Sequence, residues 1–229
     1  MIGRFDAASN DPQSFPIRRV HWKPGFRIVP TRFPTVYLFD RVADPEDFDA
    51  LYALEALTND RIRDETGQLE LVAAADRIYG PGSGPIMAAF THVNPLGSRF
   101  SDGRYGMFYA ARERETAIAE TRYHHGRFLA ATAEAAMHLP MRLYQVTVDA
   151  RLHDLRQHGV DQAGRQLDAA IHDPDDYGLA RAIGNRLMLA DSTGVVYRSV
   201  RHAPGECVGL FKPRGASDCR HAAHLLYAW

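Results

Sequence analysis

The sequence predicts an α+β fold in which a central mixed or antiparallel split sheet is flanked by helices. Runs with alternating apolar residues and runs with helical spacing both occur, but they lack the strand–helix–strand regularity of a parallel α/β sheet. The last two predicted strands follow each other across one turn, which favours antiparallel pairing. With 229 residues, 45% of them apolar, the chain can bury a full hydrophobic core.

The N-terminal region is predicted to contain two short strands and a helix. The strands are Phe26 to Thr31 and Val36 to Phe39, separated by prolines that break extended runs. A helix from Asp44 to Asn59 follows, because Asp44 can cap its first turn and Pro45 suits the first helical position.

A Gly/Pro stretch, Gly80 to Pro85, is the best candidate boundary in the chain. It has neither the Lys-Ser/Thr ending of a P-loop nor the GxGxxG pattern, so we interpret it as a surface loop. We therefore divide the chain into an N-terminal extension, residues 1–84, and a core domain, residues 85–229, packed together as one unit. We expect the extension to cover the sheet and shape access to the site.

The second half of the chain carries the clearest periodicity. Its predicted elements are a strand Gly103 to Ala111, a helix Thr116 to His125, a strand Leu143 to Asp149, a helix carrying Leu179, Ile183 and Leu187 that stops near Gly194, and strands Val195 to Val200 and Cys207 to Phe211 joined by a turn at Ala203-Pro204-Gly205. The apolar C-terminus, Leu225 to Trp229, is expected to pack on the core.

Composition narrows the class of protein. A formal net charge of −1 and scattered arginines argue against a nucleic-acid partner. No apolar run approaches the roughly 20 residues that span a bilayer, and the polar N-terminus does not resemble a signal peptide. The chain has 2 cysteines, Cys207 and Cys219. We expect a cytoplasmic protein with free thiols and no membrane association.

Four polar residues are candidates for chemistry. Arg99 lies in a polar, Gly-rich segment, and Tyr109 lies in the strand that follows it. Glu120 follows four small or apolar residues in a predicted helix, where a charge must be paired if it is buried. The local pattern alone favours a solvent-facing Glu120 with Arg122 or Arg127 nearby. Ser199 lies near the end of a predicted strand, where packing or a local hydrogen bond is the simpler explanation.

Taken in order, these segments resemble the RES domain family, which is named for its Arg, Glu and Ser. The matching segments are Gly97-Ser98-Arg99-Phe100, Phe108-Tyr109-Ala110-Ala111, Thr116-Ala117-Ile118-Ala119-Glu120, Gly194-Val195-Val196-Tyr197-Arg198-Ser199-Val200-Arg201 and Cys207-Val208-Gly209-Leu210-Phe211. The resemblance extends from about Arg27 to Pro213 and is strongest to a longer subgroup with an N-terminal stretch like Phe26 to Pro34. Many members carry Gly-Gly-Arg-Trp at the arginine, so we expect Phe100 to take the Trp position.

The resemblance implies an ADP-ribosyltransferase-like fold and NAD as the substrate. It implies the toxin of a toxin–antitoxin pair, held inactive by an Xre-like antitoxin, that cleaves the nicotinamide–ribose bond by phosphorolysis or hydrolysis. Transfer of ADP-ribose to a specific protein is the first alternative, and a non-catalytic NAD-binding protein is the second.

The resemblance also implies a role for each residue. Glu120 would stabilise the positive charge that develops on the ribose, and Arg99 would clamp a phosphate of NAD. Tyr109 would face the nicotinamide ring, and Ser199 would donate to a phosphate or the ribose. Arg27 would be a second phosphate contact. No metal is expected, because His221 and His224 with the two cysteines match no zinc spacing.

Overall fold

The computed structural model describes residues 15–33, 38–41, 52, 66–132, 135–156 and 161–229, and over these ranges it confirms the predicted α+β fold with a mixed sheet. The strands are β1 (Ile17–Pro30), β2 (Phe108–Ala111), β3 (His138–Asp154), β4 (Gly194–Arg198), β5 (Glu206–Leu210) and β6 (Ala216–Ala228). The α-helices are α1 (Leu38–Arg41), α2 (Gly84–Thr91), α3 (Arg114–Thr132), α4 (Gln162–Ile171) and α5 (Gly178–Leu189). Short 3-10 turns lie at Leu69–Leu71, Ala74–Asp76 and Pro213–Gly215.

The strands pair in the order β1-β2-β5-β4-β3-β6, and β1 also pairs with β3, so five strands form a closed circuit. The β3–β4 pair is parallel and the other pairs are antiparallel. Strands β1 and β2 share a single bridge, Phe26 to Ala111, whereas β1 follows β3 along almost its whole length. Between β1 and β2 the circuit is therefore closed by this one bridge, and we call this weakly paired place the split.

A β-bulge in β1 decides which side chains face which side of the sheet. The register against β3 shifts between Trp22 and Gly25, and such an insertion exchanges the two faces for the residues that follow. Trp22 therefore packs in the core cluster that includes Val146, whereas Ile28 packs in the second cluster, below α3 and α5. Arg27 consequently points to the side of the first cluster, over the ring of Phe108.

Two predicted strands are wrong in whole or in part. Within the predicted strand Val36 to Phe39, the described residues belong to helix α1, because Phe39 is completely buried and Gly84 N–H donates to Asp40 Oδ1 at 2.6 Å. The predicted strand Gly103 to Ala111 is extended only in β2. Its first half is a turn, in which Arg104 N–H donates to Asp102 Oδ1.

Several other elements differ in extent. The stretch Gly80 to Pro85 is only partly a surface loop, since Gly84 begins α2 and Gly82 packs closely against the backbone of Cys219. Helix α3 is longer than predicted, and α4 was not predicted. The C-terminal tail belongs to strand β6 up to Ala228, and its Leu225 and Tyr227 pack against the second core cluster as expected. The predicted helix Asp44 to Asn59 lies outside the described residues apart from Tyr52.

The predicted helix α5 and the terminal pair β4–β5 are confirmed. Strand β4 ends at Arg198, so Ser199 lies one residue beyond it and not inside a strand. The alternation predicted for β3 is also confirmed, since Tyr144, Val146 and Val148 are all buried on one face.

Candidate active site

Glu120 and Ser199 form a short hydrogen bond between α3 and the segment after β4. Ser199 Oγ lies 2.6 Å from Glu120 Oε1, and the Glu120 side chain is 19% exposed. The same Oγ accepts the backbone N–H groups of Arg201 and His202, at 3.2 and 3.1 Å. Because these donors occupy its lone pairs, the hydroxyl proton is directed at the carboxylate. Glu120 is thus largely shielded from solvent, and among the described residues its hydrogen-bond donor is Ser199 and no arginine forms an ion pair with it.

The turn between β4 and β5 places this pair. Gly205 packs so closely on the first turn of α3 that a Cβ at this position would lie 2.3 Å from Thr116 Oγ1. His202 Nδ1 lies 2.9 Å from the same hydroxyl, and Ser199 N–H donates to Gly205 O at 2.8 Å. A glycine is therefore required where the turn approaches the helix, and this approach sets Ser199 opposite Glu120.

Arg99 is buried, with 7% of its surface exposed. Its Nη1 donates to Asp173 O at 2.8 Å and to Ile171 O at 3.2 Å, and its guanidinium lies 4.3 Å from the centre of the Tyr177 ring. Within the described part of the chain, its Nε and Nη2 have no hydrogen-bond acceptor. Two donors of a planar cation thus remain available for a ligand.

Arg99 and Glu120 act on the same buried tyrosine. Burial raises the pKa of Tyr197 well above its usual value; the charge of Glu120 raises it further, and that of Arg99 lowers it. The Tyr197 ring packs edge-on against Phe100, which is completely buried. The opposite charges of Arg99 and Glu120 therefore both lie close enough to Tyr197 to affect its pKa, and each is held by its own partners.

Tyr109 and Arg27 lie at the split between β1 and β2. The Tyr109 hydroxyl is 2.8 Å from Ser98 Oγ and accepts Phe100 N–H at 3.2 Å, and burial raises the pKa of Tyr109 to about 12. Arg27 Nη1 donates to Tyr109 O at 2.9 Å, and burial lowers the pKa of Arg27. Both residues line a cavity of about 440 Å³.

The five candidates thus form two neighbouring groups. Glu120 and Ser199 form one group with the nearby Arg99, and Arg27 and Tyr109 line the cavity at the split, where Tyr109 also packs against the second core cluster. Ser98 connects the two groups, because it precedes Arg99 in the chain and its hydroxyl contacts that of Tyr109.

Three residues near Glu120 were not among the predicted site residues: Tyr123, His124 and Arg201. Arg201 stacks on Tyr123, with its Cζ 3.2 Å from the ring centre, and donates to Pro174 O. Its Nε is buried and has no hydrogen-bond partner in the described residues. His124 Nε2 lies 4.0 Å from Glu120 Oε2. The sequence spacing could have indicated two of them. Arg201 lies two residues after Ser199, and His124 lies one helical turn after Glu120.

The loop between α4 and α5, residues 172–177, is held by residues of this site. Arg99 bonds to carbonyls at its start, Arg201 bonds to Pro174 O, and Tyr123 OH donates to Asp175 Oδ1 at 2.6 Å. Tyr177 closes the loop by stacking on Arg99. The same two arginines therefore fix the loop that borders Glu120 and Ser199.

Within the described residues the structure has neither a candidate metal site nor a candidate membrane-spanning helix. In that part of the chain no cluster of three or more His, Cys, Asp and Glu side chains has metal-binding geometry, and no helix there has the length and apolar character needed to cross a membrane. Cys207 and Cys219 are free and buried, and burial raises the pKa of both thiols.

Comparison with known proteins shows which family and which fold this chain is similar to. The sequence model of the RES domain matches residues 74–229. The uncharacterised protein y4oC of Sinorhizobium fredii is 27% identical over 207 residues, which cover 89% of this chain and 82% of that protein. A chain of the M. tuberculosis MbcT–MbcA toxin–antitoxin complex superimposes with a TM-score of 0.51 at 13% identity, covering 97% of this chain and 93% of its own. The structural match shows a shared fold.

Proposed function

The chain belongs to the RES domain family, and we propose that it is an enzyme that cleaves the nicotinamide–ribose bond of NAD as the toxin of a toxin–antitoxin pair. The hydrogen bond between Ser199 Oγ and Glu120 Oε1 carries this proposal, because it orients a partly buried carboxylate beside two arginines with unused donors. That combination suits a substrate that carries phosphates and develops positive charge when it reacts.

Glu120 supplies the electrostatic part of catalysis. Cleavage of the bond builds positive charge on the ribose, as in glycoside hydrolysis. A carboxylate about 4 Å from that charge contributes about 4 kcal/mol at an effective dielectric constant near 20. This corresponds to roughly a thousandfold in rate, and the interaction strengthens only as the charge develops. Ser199 keeps Oε1 oriented while the reaction proceeds.

Arg99 and Tyr109 position the substrate. Arg99 has Nε and Nη2 available for two oxygens of one phosphate, and its stacking on Tyr177 fixes the plane of the guanidinium. The cavity lined by Tyr109 and Arg27, about 440 Å³, lies within the usual volume of small-molecule sites. We propose that it receives the nicotinamide end of NAD against Tyr109, with Arg27 as a second phosphate contact.

An antitoxin is the proposed partner. Support comes from the fold, which resembles a chain of a toxin–antitoxin complex. We propose that the antitoxin is of the Xre-like type and that expression of the protein alone in a bacterial host arrests growth and lowers cellular NAD. Co-expression of such an antitoxin should restore both.

Incubation of the purified protein with NAD tests the reaction directly. We would follow nicotinamide and the ribosyl product by chromatography and mass spectrometry, with and without inorganic phosphate. Nicotinamide with free ADP-ribose indicates hydrolysis, and nicotinamide with phosphorylated ADP-ribose indicates phosphorolysis. If nicotinamide is released only when lysate is added, and label from NAD appears on a protein, the acceptor is a protein. Tight NAD binding without nicotinamide release in any of these mixtures would refute the enzymatic proposal.

A further inference from the structure

We propose that His124 is the general base that takes a proton from the water attacking the ribose, an inference that rests on the proposed NAD cleavage. No part of the roles assigned so far requires this residue. It lies one helical turn beyond Glu120 on α3, on the same side of the helix.

The two side chains are separated by a distance that a single bridging water can span. Glu120 Oε1 is occupied by the Ser199 hydroxyl, so Oε2 is the carboxylate atom that remains for another partner. His124 Nε2 lies 4.0 Å from Oε2, which is too long for a direct hydrogen bond. A water about 2.8 Å from both atoms would bridge them with ordinary hydrogen-bond lengths.

The surroundings keep this imidazole neutral. Partial burial of the ring lowers the pKa of His124 from its usual value, and the charges of Arg201, Arg99 and Arg127 lower it further. Glu120 is the acidic group that faces it. A neutral Nε2 at neutral pH is a proton acceptor, which a general base must be.

The other groups around His124 do not compete for the proton. The ring of Tyr123 lies edge-on at 5.5 Å, and its hydroxyl is bonded to Asp175. His125 is the next residue, but it lines a separate groove with Trp229 at the other side of α3. His202 also lies at this site, but its Nδ1 is 2.9 Å from Thr116 Oγ1. Among the described residues, His124 is the imidazole with a ring nitrogen within 4.0 Å of the Glu120 carboxylate.

The step balances without any further reactant. The water oxygen forms a bond to C1′ of the ribose while the C1′–N bond breaks, and the bond electrons leave with neutral nicotinamide. One water proton passes to Nε2 of His124, giving imidazolium beside Glu120. The side chain is 55% exposed, so the proton can then pass to solvent. The products are ADP-ribose and nicotinamide.

The base is needed for water and not for a phosphate acceptor. Inorganic phosphate at neutral pH already carries nucleophilic oxyanions, whereas water must lose a proton as it attacks. Loss of His124 should therefore lower hydrolysis selectively. A general base typically contributes about 10²–10⁴-fold, so we expect His124→Gln to lower kcat for hydrolysis by about 100-fold.

The experiment compares the full-length wild type, His124→Gln and His125→Gln. Nicotinamide release is measured in phosphate-free buffer and in inorganic phosphate, from pH 5 to 9. We expect His125→Gln to stay within about twofold of wild type. His124→Gln should lose the acid limb of the hydrolytic pH profile with KM little changed, and keep phosphorolysis within about fivefold. Imidazole should partly restore hydrolysis by His124→Ala.

The outcomes separate this inference from the proposed function. A wild type that releases no nicotinamide overturns both. An active wild type with an unchanged acid limb in His124→Gln overturns only the role of His124. Equal loss of hydrolysis and phosphorolysis, or a wild type that makes only the phosphorylated product, also overturns it.

Discussion

Replacing Glu120 with glutamine should separate the chemistry of the site from its stability. The amide oxygen of glutamine can accept the Ser199 hydroxyl that now lies 2.6 Å from Oε1. A hydrogen bond to a charged group contributes about 1.5–3 kcal/mol and one between neutral groups about 0.5–1.5 kcal/mol. The free energy of unfolding should therefore fall by only about 1 kcal/mol.

The loss of charge should have a much larger effect on turnover. The carboxylate contributes about 4 kcal/mol to a positive charge at about 4 Å, so kcat should fall by roughly a thousandfold. NAD affinity should change little, because the substitution leaves untouched the donors of Arg99 that we propose bind a phosphate. Stopped assays of nicotinamide release, calorimetric titration with NAD and urea unfolding together measure the three quantities.

Glu115→Gln is the matched control, since it removes an exposed carboxylate from the first turn of the same helix. It should leave kcat within about twofold of wild type. If folded Glu120→Gln retains more than about a tenth of the wild-type turnover, the proposed role of the carboxylate in the transition state is wrong.

Three further predictions address the surrounding structure. Arg99→Lys keeps the charge but loses the planar fork and its stacking, so the Kd for NAD should rise about tenfold or more in calorimetric titration; an unchanged Kd would contradict a bidentate clamp. Gly205→Ala places a Cβ 2.3 Å from the Thr116 hydroxyl of α3 and should lower the free energy of unfolding by about 1–3 kcal/mol. The control Gly25→Ala, whose added Cβ has its nearest atom at 3.4 Å, should lower it less, and equal urea midpoints for the two variants would disprove the tight approach. Burial lowers the pKa of His172 to about 4, and its neutral Nε2 accepts Arg198 N–H at 3.3 Å. The unfolded chain therefore binds the extra proton first, and stability should fall as the pH drops from about 6.5 towards 4; His172→Gln should have a shallower dependence in urea titrations, and an unchanged slope would refute this assignment.

The elements that sequence analysis predicted well are those whose periodicity is determined by a single buried face. Strand β3 is an example, because Tyr144, Val146 and Val148 alternate with less buried residues. Helix α1 was missed because the burial of Phe39 and the contact of Asp40 with α2 are tertiary effects. The short apolar run itself is compatible with either a strand or a helix.

In the candidate site, too, the sequence predicts individual residues but not the tertiary contacts between them. Arg99, Tyr109, Glu120 and Ser199 were selected from the order of motifs, but the contact between Glu120 and Ser199 joins residues 79 positions apart. Local pattern alone favoured a solvent-facing carboxylate and a packing serine. The contacts of Arg201 could not be predicted from local pattern either, because its partners on α3 and in the α4–α5 loop become its neighbours only in the folded chain.

The α4–α5 loop also affects how substitutions in this protein should be interpreted. At Ile171, Asp173 and Pro174, the atoms that Arg99 and Arg201 hold are main-chain carbonyl oxygens, which every amino acid supplies. A saturation mutagenesis screen should therefore find both arginines intolerant of change. Ile171 and Asp173 are constrained for reasons of their own, since Ile171 is completely buried and Asp173 Oδ1 accepts the backbone N–H groups of Asp175 and Asp176. Pro174 should accept substitutions, so a ranking of positions by mutational tolerance would omit a residue whose carbonyl Arg201 holds beside the site.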